Sequence, residues 1–236
     1  MPRWMKGVLL AGALGGSALG IAAGIMFRTF RAPSGSMWPT LRVGDRLVAH
    51  RLSAQPERGA IAVFRYPERP DQSFVKRIVG MPGDVVAITN GEVSINDWKI
   101  PRCVVGKTGY SDDGATGDSG SKHEGTLLVE YLGTASYLVF EEKAALAGAG
   151  DDNGRHWSVA PGQYFVLGDN RNNSHDSRTW FGGAGGGVPF ANTQGRLRGY
   201  EIPVLPSSVE GAAALAPALA ACLSQRPAQT EPPPPR

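Results

Sequence analysis

Three short segments of this 236-residue chain carry residue types that could form a hydrolytic site. Residues 33–40 read PSGSMWPT, residues 73–84 read SFVKRIVGMPGD and residues 168–178 read GDNRNNSHDSR. A serine hydroxyl becomes a useful nucleophile only when a positioned base removes its proton. The segments therefore offer Ser36 as a nucleophile, and the base must come from another part of the chain.

Lys76 is unusual because it stands within an apolar run. If that run is a strand, Phe74, Lys76 and Ile78 lie on one face, which places the lysine between apolar neighbours. Burial disfavours the charged ammonium, so a lysine in such a place can be neutral near physiological pH and act as a general base. The alternative, which composition alone favours, is an edge-strand lysine that points into water.

Histidine is the more usual base, and His175 directly precedes Asp176, so the chain offers a nominal Ser36, His175, Asp176 triad. Neighbouring residues in an extended segment point to opposite sides, so Asp176 is poorly placed to orient His175. In the serine segment, the backbone amides of a glycine-containing turn and the Ser34 hydroxyl could face a developing oxyanion.

The elements that must position these residues are short apolar runs bounded by Gly, Pro, Asn or Asp, as β-strands are. Asn90-Gly91 lies between two of these runs and predicts a type I′ hairpin turn, which needs positive φ angles. No helical periodicity alternates with strands between residues 33 and 205, which argues against a parallel α/β sheet. The sequence predicts a mostly β fold with an antiparallel catalytic sheet.

Composition and patterning divide the chain further. We expect a catalytic β-core over 33–102 and 160–205, a β-rich cap inserted at 103–159, and a flexible Ala- and Pro-rich tail over 206–236 with a short helix near 211–223. The polar run 111–125 has acidic residues, but counting from Asp113 the third and fifth positions of a calcium loop lack side-chain oxygens. A solvated loop is favoured there over a metal site.

Charge and cysteine content add little. The 24 basic and 21 acidic residues leave a formal charge of +3, which does not indicate a nucleic-acid partner. The two cysteines, Cys103 and Cys222, could form one disulfide in an oxidising compartment or remain two small apolar residues, and the sequence leaves both alternatives open.

The chain begins with an apolar segment, 7–27, that contains no charged residue and follows a short stub, 1–6. As a helix it would measure about 31 Å, which matches the hydrocarbon core of a bilayer and exceeds the apolar region of a cleaved signal peptide. We predict a single transmembrane anchor. Glycines recur along one face and offer a packing surface for a partner helix, although a helix simply rich in Gly and Ala explains them too: Gly12, Gly16, Gly20 and Gly24.

The order of these features resembles bacterial type I signal peptidase, the leader peptidase family of membrane-bound serine proteases with a Ser–Lys dyad. The resemblance rests on an N-terminal anchor followed by SGSMWPTL, GDRLV, FVKRIVGMPGD and GDNRNNSHDSRTW. It covers the anchor and about residues 33–100 and 160–202, and does not extend convincingly to 103–160 or to the tail. It implies a signal-peptidase-like fold.

The resemblance also implies roles. Ser36 would be the nucleophile and Lys76 the general base, with the Ser34 hydroxyl and the Ser36 amide as the oxyanion hole. Ser174 would orient the lysine, and Asp176 would form an ion pair with Arg178 that braces the site. Residues near the pockets for small side chains would be Met37, Leu41, Phe74 and Val75. Trp38 stands at a variable position of the family pattern and receives no role, and no metal or cofactor is expected.

The implied substrates are signal peptides of exported preproteins, cut after an Ala-x-Ala sequence. The implied location is the bacterial inner membrane, with one membrane pass and the catalytic domain on the periplasmic side. The sequence departs from the family pattern at 181–187, where FGGAGGG separates Trp180 from Val188-Pro189, and we expect a flexible loop there.

Three other interpretations remain. A pilin-processing peptidase of conjugation would use the same chemistry on a restricted client. A self-cleaving regulator of the LexA type would need a DNA-binding helix-turn-helix where this chain has an apolar span. A membrane-tethered β-domain without activity would not require the candidate catalytic residues, all of which are present.

Overall fold

The computed structural model describes residues 26–51, 55–111, 122–142 and 154–235. Most of the predicted anchor, with its glycine face, lies outside these residues, as does most of the polar run 111–125. Phe27, predicted as the last residue of the anchor, is the first residue of a strand. Within the described ranges, no helix has the length and apolar character needed to cross a membrane.

The described chain is built mainly of short strands and contains a C-terminal α-helix. The elements are β1 Phe27–Arg31, β2 Arg46–His50, β3 Ile61–Tyr66, β4 Arg69–Gly80, β5 Val85–Thr89, β6 Glu92–Ile95, β7 Trp98–Lys99, β8 Arg102–Ser111, β9 Lys122–Leu132, β10 Ala135–Glu142, β11 Arg155–Ser158, β12 Gln163–Leu167, β13 Val188–Pro189, β14 Thr193–Leu197 and α1 Ala212–Ser224. 3₁₀ turns occur at Gly35–Met37 and Phe190–Asn192.

The strands form three sheets, and the paired strands within each sheet are antiparallel, as predicted. The largest sheet has the order β1-β2-β14-β3-β4-β12-β13. Strand β4 is an interior strand of this sheet, paired on one side with β3 and on the other with β12. Pairing covers both edges of β4, and both faces of its C-terminal half are covered as well, since residues 75–80 are all buried.

A smaller sheet has the order β11-β5-β6-β7. Its β5–β6 hairpin turns at the predicted position, where Asn90 and Gly91 have φ angles of 52° and 77°. A shared core cluster contains Val79 from β4, Val86 from β5 and Val139 from β10, so residues of all three sheets pack together.

The third sheet, β10-β9-β8, accounts for the described part of the predicted cap up to residue 142. Strand β11, also predicted as cap, instead pairs with β5. The cap sheet packs against α1, and a disulfide joins Cys103 of β8 to Cys222 of α1. Leu219 and Cys222 are buried in that contact, which stabilises a helix too short to be stable alone.

The end of the chain, predicted as a flexible tail, makes hydrogen bonds to two turns of the sheets. After α1, Arg226 donates to the carbonyl of Gly133 at 2.7 Å, and the amide of Gly133 donates to the carbonyl of Thr230 at 2.8 Å. Farther along, Asn96 Nδ2 donates to the carbonyl of Pro233 at 2.9 Å. The tail thus runs as an extended strap from the β9–β10 turn to the β6–β7 turn. The polar groups of these turns, which are distant in sequence, hold it in place.

Candidate active site

Ser36 lies in the 3₁₀ turn Gly35–Met37 between β1 and β2, and it is 6% exposed. The first hydrogen bond of the turn runs from the amide of Trp38 to the carbonyl of Gly35 at 2.9 Å. The amide of Ser36 therefore has no acceptor within its own turn. A turn of this kind presents a hydroxyl and a backbone N–H from the same residue.

Lys76 comes from the middle of β4 and reaches Ser36. Its Nζ lies 2.5 Å from Ser36 Oγ and 5.5 Å from the centroid of the Phe74 ring. The alternation predicted for β4 is observed, since Phe74 and Ile78 share one core cluster and Val75 lies in another. Lys76 is only 4% exposed, so the alternative of an edge-strand lysine pointing into water is wrong.

The protonation of Lys76 follows from this burial. Burial lowers the pKa of Lys76 to about 8. The negative charges of Asp176 and Asp169 oppose this shift, whereas the positive charge of Arg178 lowers the pKa by a smaller amount. A substantial fraction of the amine is then neutral near pH 8. A neutral amine within hydrogen-bonding distance of a serine hydroxyl is the arrangement that general-base catalysis requires.

Ser34 also lies beside the nucleophile. Its hydroxyl donates to Ser36 Oγ at 3.2 Å. Two hydroxyls and the Ser36 amide are therefore grouped at one end of the turn. The grouping is consistent with donors for an oxyanion that forms next to Ser36.

The third segment brings a buried ion pair to the site. Arg178 Nε donates to Asp176 Oδ1 at 2.8 Å and Arg178 Nη2 donates to Asp176 Oδ2 at 2.9 Å. The amide of Gly168 donates to the same carboxylate at 2.9 Å. Burial by itself would raise the pKa of Asp176, but Arg178 and these hydrogen bonds hold the pKa below its ordinary value. Asp176 is therefore an anion paired with Arg178.

Ser174 does not make the predicted bond to Lys76. Its hydroxyl is buried, forms no hydrogen bond with the lysine among the described residues, and lies beside Asp176, where it helps to lower the pKa of that carboxyl. The segment passes very close to the nucleophile turn. A Cβ at Gly168 would lie 2.2 Å from Ser174 Oγ and 2.5 Å from the carbonyl oxygen of Ser36, so this position requires glycine.

His175 is directed away from the nucleophile. Its Nε2 is 2.9 Å from the hydroxyl of Tyr66, and its Nδ1 is 2.8 Å from the hydroxyl of Thr179. Both ring nitrogens are thus engaged outside the Ser36 turn. The nominal triad of Ser36, His175 and Asp176 is not assembled.

The four predicted pocket residues fall into two groups. Met37, Leu41 and Val75 are buried in one apolar cluster beside the Ser36 turn. Phe74 lies on the opposite face of β4, where it stacks on Tyr66 with ring centroids 4.4 Å apart. Strand alternation separates the two groups.

Sequence reasoning missed a second buried cation on β4. Arg77 donates from Nε and Nη2 to the two carboxylate oxygens of Asp169, at 2.7 and 2.6 Å, and Thr40 donates to Asp169 at 2.5 Å. The partners are separated by 92 residues in the chain. Alternation could place Arg77 on the face opposite Lys76, but no local signal identifies its carboxylate.

The cap sheet also makes hydrogen bonds and an ion pair with the third segment. Arg171 of the third segment donates to both oxygens of Glu130 in β9, at 2.8 and 2.6 Å. In β10 the amide of Phe140 donates to the carbonyl of Asp169, and the amide of Arg171 donates to the carbonyl of Phe140, both at 2.9 Å. The cap strands therefore hold the third segment through both its side chains and its backbone.

The loop 181–187, predicted to be flexible, makes hydrogen bonds within itself and to its neighbours. The amide of Gly185 donates to the carbonyl of Trp180, and the amide of Gly186 donates to the carbonyl of Ser177, both at 2.8 Å. Trp157 of β11 donates to the carbonyl of Ala184 at 3.1 Å. A Cβ at Gly185 would lie 2.2 Å from Trp157 Nε1, so a glycine is needed where the loop meets β11.

On this antiparallel β-fold a buried lysine lies within hydrogen-bonding distance of a serine hydroxyl, an arrangement in which a base could activate a nucleophile. The family model described as signal peptidase, peptidase S26, matches residues 2–200. The chain belongs to the signal peptidase family.

Individual relatives carry the same name. Signal peptidase I of Pseudomonas aeruginosa is 35% identical over 167 residues, which is 64% of this chain and 54% of that protein. Signal peptidase I of Aquifex aeolicus is 31% identical over 194 residues, 72% of this chain and 73% of that protein. The chain spans about half the length of the Pseudomonas relatives it matches.

A crystal structure of a signal peptidase I from Enterococcus faecalis shares 26% identity with the chain. The alignment covers 61% of this chain and 97% of that one, with a TM-score of 0.33.

Proposed function

We propose that this protein is a membrane-bound serine endopeptidase that removes N-terminal signal peptides from exported preproteins. Ser36 is the nucleophile and Lys76 the general base. The observation that carries the proposal is the buried Lys76 Nζ, 2.5 Å from Ser36 Oγ, in a site that lowers the pKa of the lysine to about 8. Membership of the signal peptidase family supports the substrate class.

The proposed reaction begins when neutral Lys76 takes the proton of Ser36, whose oxygen attacks the scissile carbonyl carbon. The Ser36 amide and the Ser34 hydroxyl stabilise the oxyanion that forms. Protonated Lys76 then gives its proton to the leaving amine, which departs as the new N-terminus of the mature protein. Water next hydrolyses the ester on Ser36, with Lys76 again as the base, and the free serine is restored.

Small side chains before the cut are the proposed specificity, in the form Ala-x-Ala. The surface beside Ser36 is backed by Met37, Leu41 and Val75, which are already packed in a buried apolar cluster. The proposed substrate pockets on this cluster are shallow and apolar, so that they accept a methyl group and exclude longer side chains. Phe74, on the lysine side of β4, is proposed to contact the substrate there.

The proposed location is the bacterial cytoplasmic membrane, with the catalytic domain on the extracytoplasmic side. Segment 7–27 would be the anchor, and Ser36 follows its end by nine residues. Strand β1 begins at Phe27 and pairs with β2, so little chain separates the anchor from the sheet. The bilayer would then hold the site close to the place where a membrane-inserted signal peptide presents its cleavage site. The face formed by Gly12, Gly16, Gly20 and Gly24 is proposed as a contact for a partner helix.

The test is cleavage of a preprotein with an Ala-x-Ala site by the wild-type protein and three variants. Ser36→Ala and Lys76→Ala are expected to be inactive, and His175→Ala is the matched control with activity near that of the wild type. The wild-type kcat/KM should rise with pH and level off above about pH 8, because the general base is the neutral form of a group with that pKa.

Two results would contradict the proposal. An inactive His175→Ala protein together with an active Lys76→Ala protein would indicate a Ser–His enzyme. A wild-type protein that cleaves no Ala-x-Ala preprotein would favour a restricted client or a binding domain without activity.

A further inference from the structure

We propose that Tyr110, from cap strand β8, is a positioning residue that holds the Ser36 turn against Lys76. The inference rests on the function proposed above, since it assigns a role in placing the same nucleophile. It also gives the cap sheet a part in catalysis, although none of its residues touches the reacting atoms.

The ring of Tyr110 is stacked between two other aromatic rings. It stacks on Trp38, with centroids 4.2 Å apart and planes 24° apart, and on His123, with centroids 4.5 Å apart and planes 12° apart. Trp38 ends the 3₁₀ turn that contains Ser36, and it is only 3% exposed. The position of Tyr110 therefore limits where the end of the nucleophile turn can lie.

The hydroxyl of Tyr110 acts on the other end of the same turn. It accepts a hydrogen bond from Asn170 Nδ2 at 2.8 Å. The same Nδ2 donates to the carbonyl of Gly35 at 3.3 Å, and the amide of Asn170 donates to the carbonyl of Ser36 at 3.1 Å. Asn170 is fully buried, so the Tyr110 hydroxyl orients a residue whose side chain holds the carbonyl of Gly35 and whose backbone amide holds the carbonyl of Ser36.

Tyr110 is thus a cap residue that reaches the turn in two ways, through ring stacking on Trp38 and through the amide of Asn170. The 2.5 Å approach of Lys76 to Ser36 depends on the turn staying in place. Because displacement of a reacting group by about 1 Å can cost on the order of 100-fold in rate, a modest loosening of the turn should reduce kcat. Substrate affinity should change little, since neither Tyr110 nor Asn170 lines the proposed pocket.

The test uses the full chain in detergent and compares Tyr110→Phe with Tyr131→Phe. The first variant keeps both stacks and removes the acceptor for Asn170. The second removes a hydroxyl of the same cap sheet that donates to the carbonyl of Cys222 at 2.6 Å, away from Ser36. We expect kcat to fall about three- to tenfold in Tyr110→Phe with KM unchanged, and to stay at the wild-type value in Tyr131→Phe.

A pH profile separates positioning from an effect on the lysine. The midpoint of kcat/KM against pH should stay near the wild-type value in Tyr110→Phe, because the groups that set the pKa of Lys76 are unchanged. A shifted midpoint, or equal losses of kcat in the two variants that follow their losses in thermal stability, would overturn the proposal. So would wild-type kcat in Tyr110→Phe.

Amide exchange of the peptide spanning residues 35–41, followed by mass spectrometry, tests the inference independently of activity. Exchange should be faster in Tyr110→Phe than in Tyr131→Phe, and equal rates would overturn the positioning role. Ser36→Ala is assayed in parallel. If that variant still cleaves, the proposed function fails while exchange still decides the role of Tyr110. If it is inactive and Tyr110→Phe behaves as wild type, only the positioning role fails.

Discussion

Strand β4 buries two adjacent basic residues, one on each face, and their side chains have different partners. Arg77 meets both oxygens of the Asp169 carboxylate, at 2.7 and 2.6 Å. Lys76 meets a neutral hydroxyl, Ser36 Oγ, at 2.5 Å, and forms no ion pair with a carboxylate among the described residues. Both side chains are nearly inaccessible to water, at 1% and 4% exposure.

The difference in partners gives Arg77 a structural role as a permanent cation and allows Lys76 to act as a base. Arginine stays charged in proteins, so its burial requires a carboxylate, and the bidentate pair supplies one. Lysine loses its proton readily when buried, and the missing ion-pair contact allows burial to lower the pKa of Lys76 to about 8. The strand therefore places a permanent charge on one face and a group that can accept a proton on the other.

The largest expected effect is on the lysine face. Lys76→Arg should lower kcat/KM about 10³- to 10⁴-fold, because arginine cannot serve as a neutral base at these pH values. The measurement is preprotein cleavage between pH 7 and 9, with circular dichroism to show that the variant is folded. A variant that keeps a tenth of the wild-type activity would show that the proton is removed by another group.

On the arginine face the expected effect is on stability. Arg77→Met should lower the free energy of unfolding by about 3 kcal/mol, because it leaves the buried Asp169 carboxylate without its cation. Urea denaturation measures the change. Arg77→Met combined with Asp169→Asn should recover part of the loss, and a single variant as stable as the wild type would contradict the role given to the pair.

The same substitution at the neighbouring position should have the opposite sign. Lys76→Met should raise the free energy of unfolding, on the order of 1–2 kcal/mol below pH 8, because the buried lysine is less easily protonated than in the unfolded chain. The pKa is about 8 when folded and 10.5 ordinarily. Between these values the unfolded chain binds more protons, so wild-type stability rises with pH and the advantage of the variant disappears above about pH 10.5. A destabilised variant at pH 7 would contradict this assignment.

The smallest expected effect concerns the apolar cover of Lys76. Phe74→Ala should admit water beside Nζ and raise the pKa of the lysine, which moves the midpoint of the pH–rate profile upward by about half a unit. Val75→Ala, on the opposite face, is the matched control and should leave the midpoint unchanged. Equal shifts of the midpoint in the two variants would show that both faces of β4 affect the pKa of Lys76 to the same extent.

Local patterns predicted a large part of the fold. Asn90-Gly91 supplied the residues that positive φ angles require, and the hairpin is present there. Apolar alternation placed Lys76 between Phe74 and Ile78, although composition alone favoured an exposed lysine. Turns and strand alternation can be predicted from the sequence, because they depend on the backbone geometry of a few neighbouring residues.

Local patterns gave no sign of the contacts that segments make with distant partners. The Ala and Pro content of the tail did not reveal that α1 packs against the cap sheet and is joined to it by the Cys103–Cys222 disulfide, across 119 residues. The glycine content of the loop 181–187 did not reveal its hydrogen bonds with Trp180, Ser177 and Trp157. Composition describes the freedom of an isolated segment and not the contacts that remove it.

The sequence by itself determined which groups are available and on which face of a strand they lie: a serine in a glycine-containing turn, and a lysine and an arginine on opposite faces of β4. The tertiary structure decided their states. It placed Asp169 on Arg77 and a neutral hydroxyl on Lys76, and it placed Tyr110 against the turn that carries Ser36. The physical reason is that a pKa and a reacting distance depend on the neighbours in space, and those neighbours come from segments dozens of residues apart.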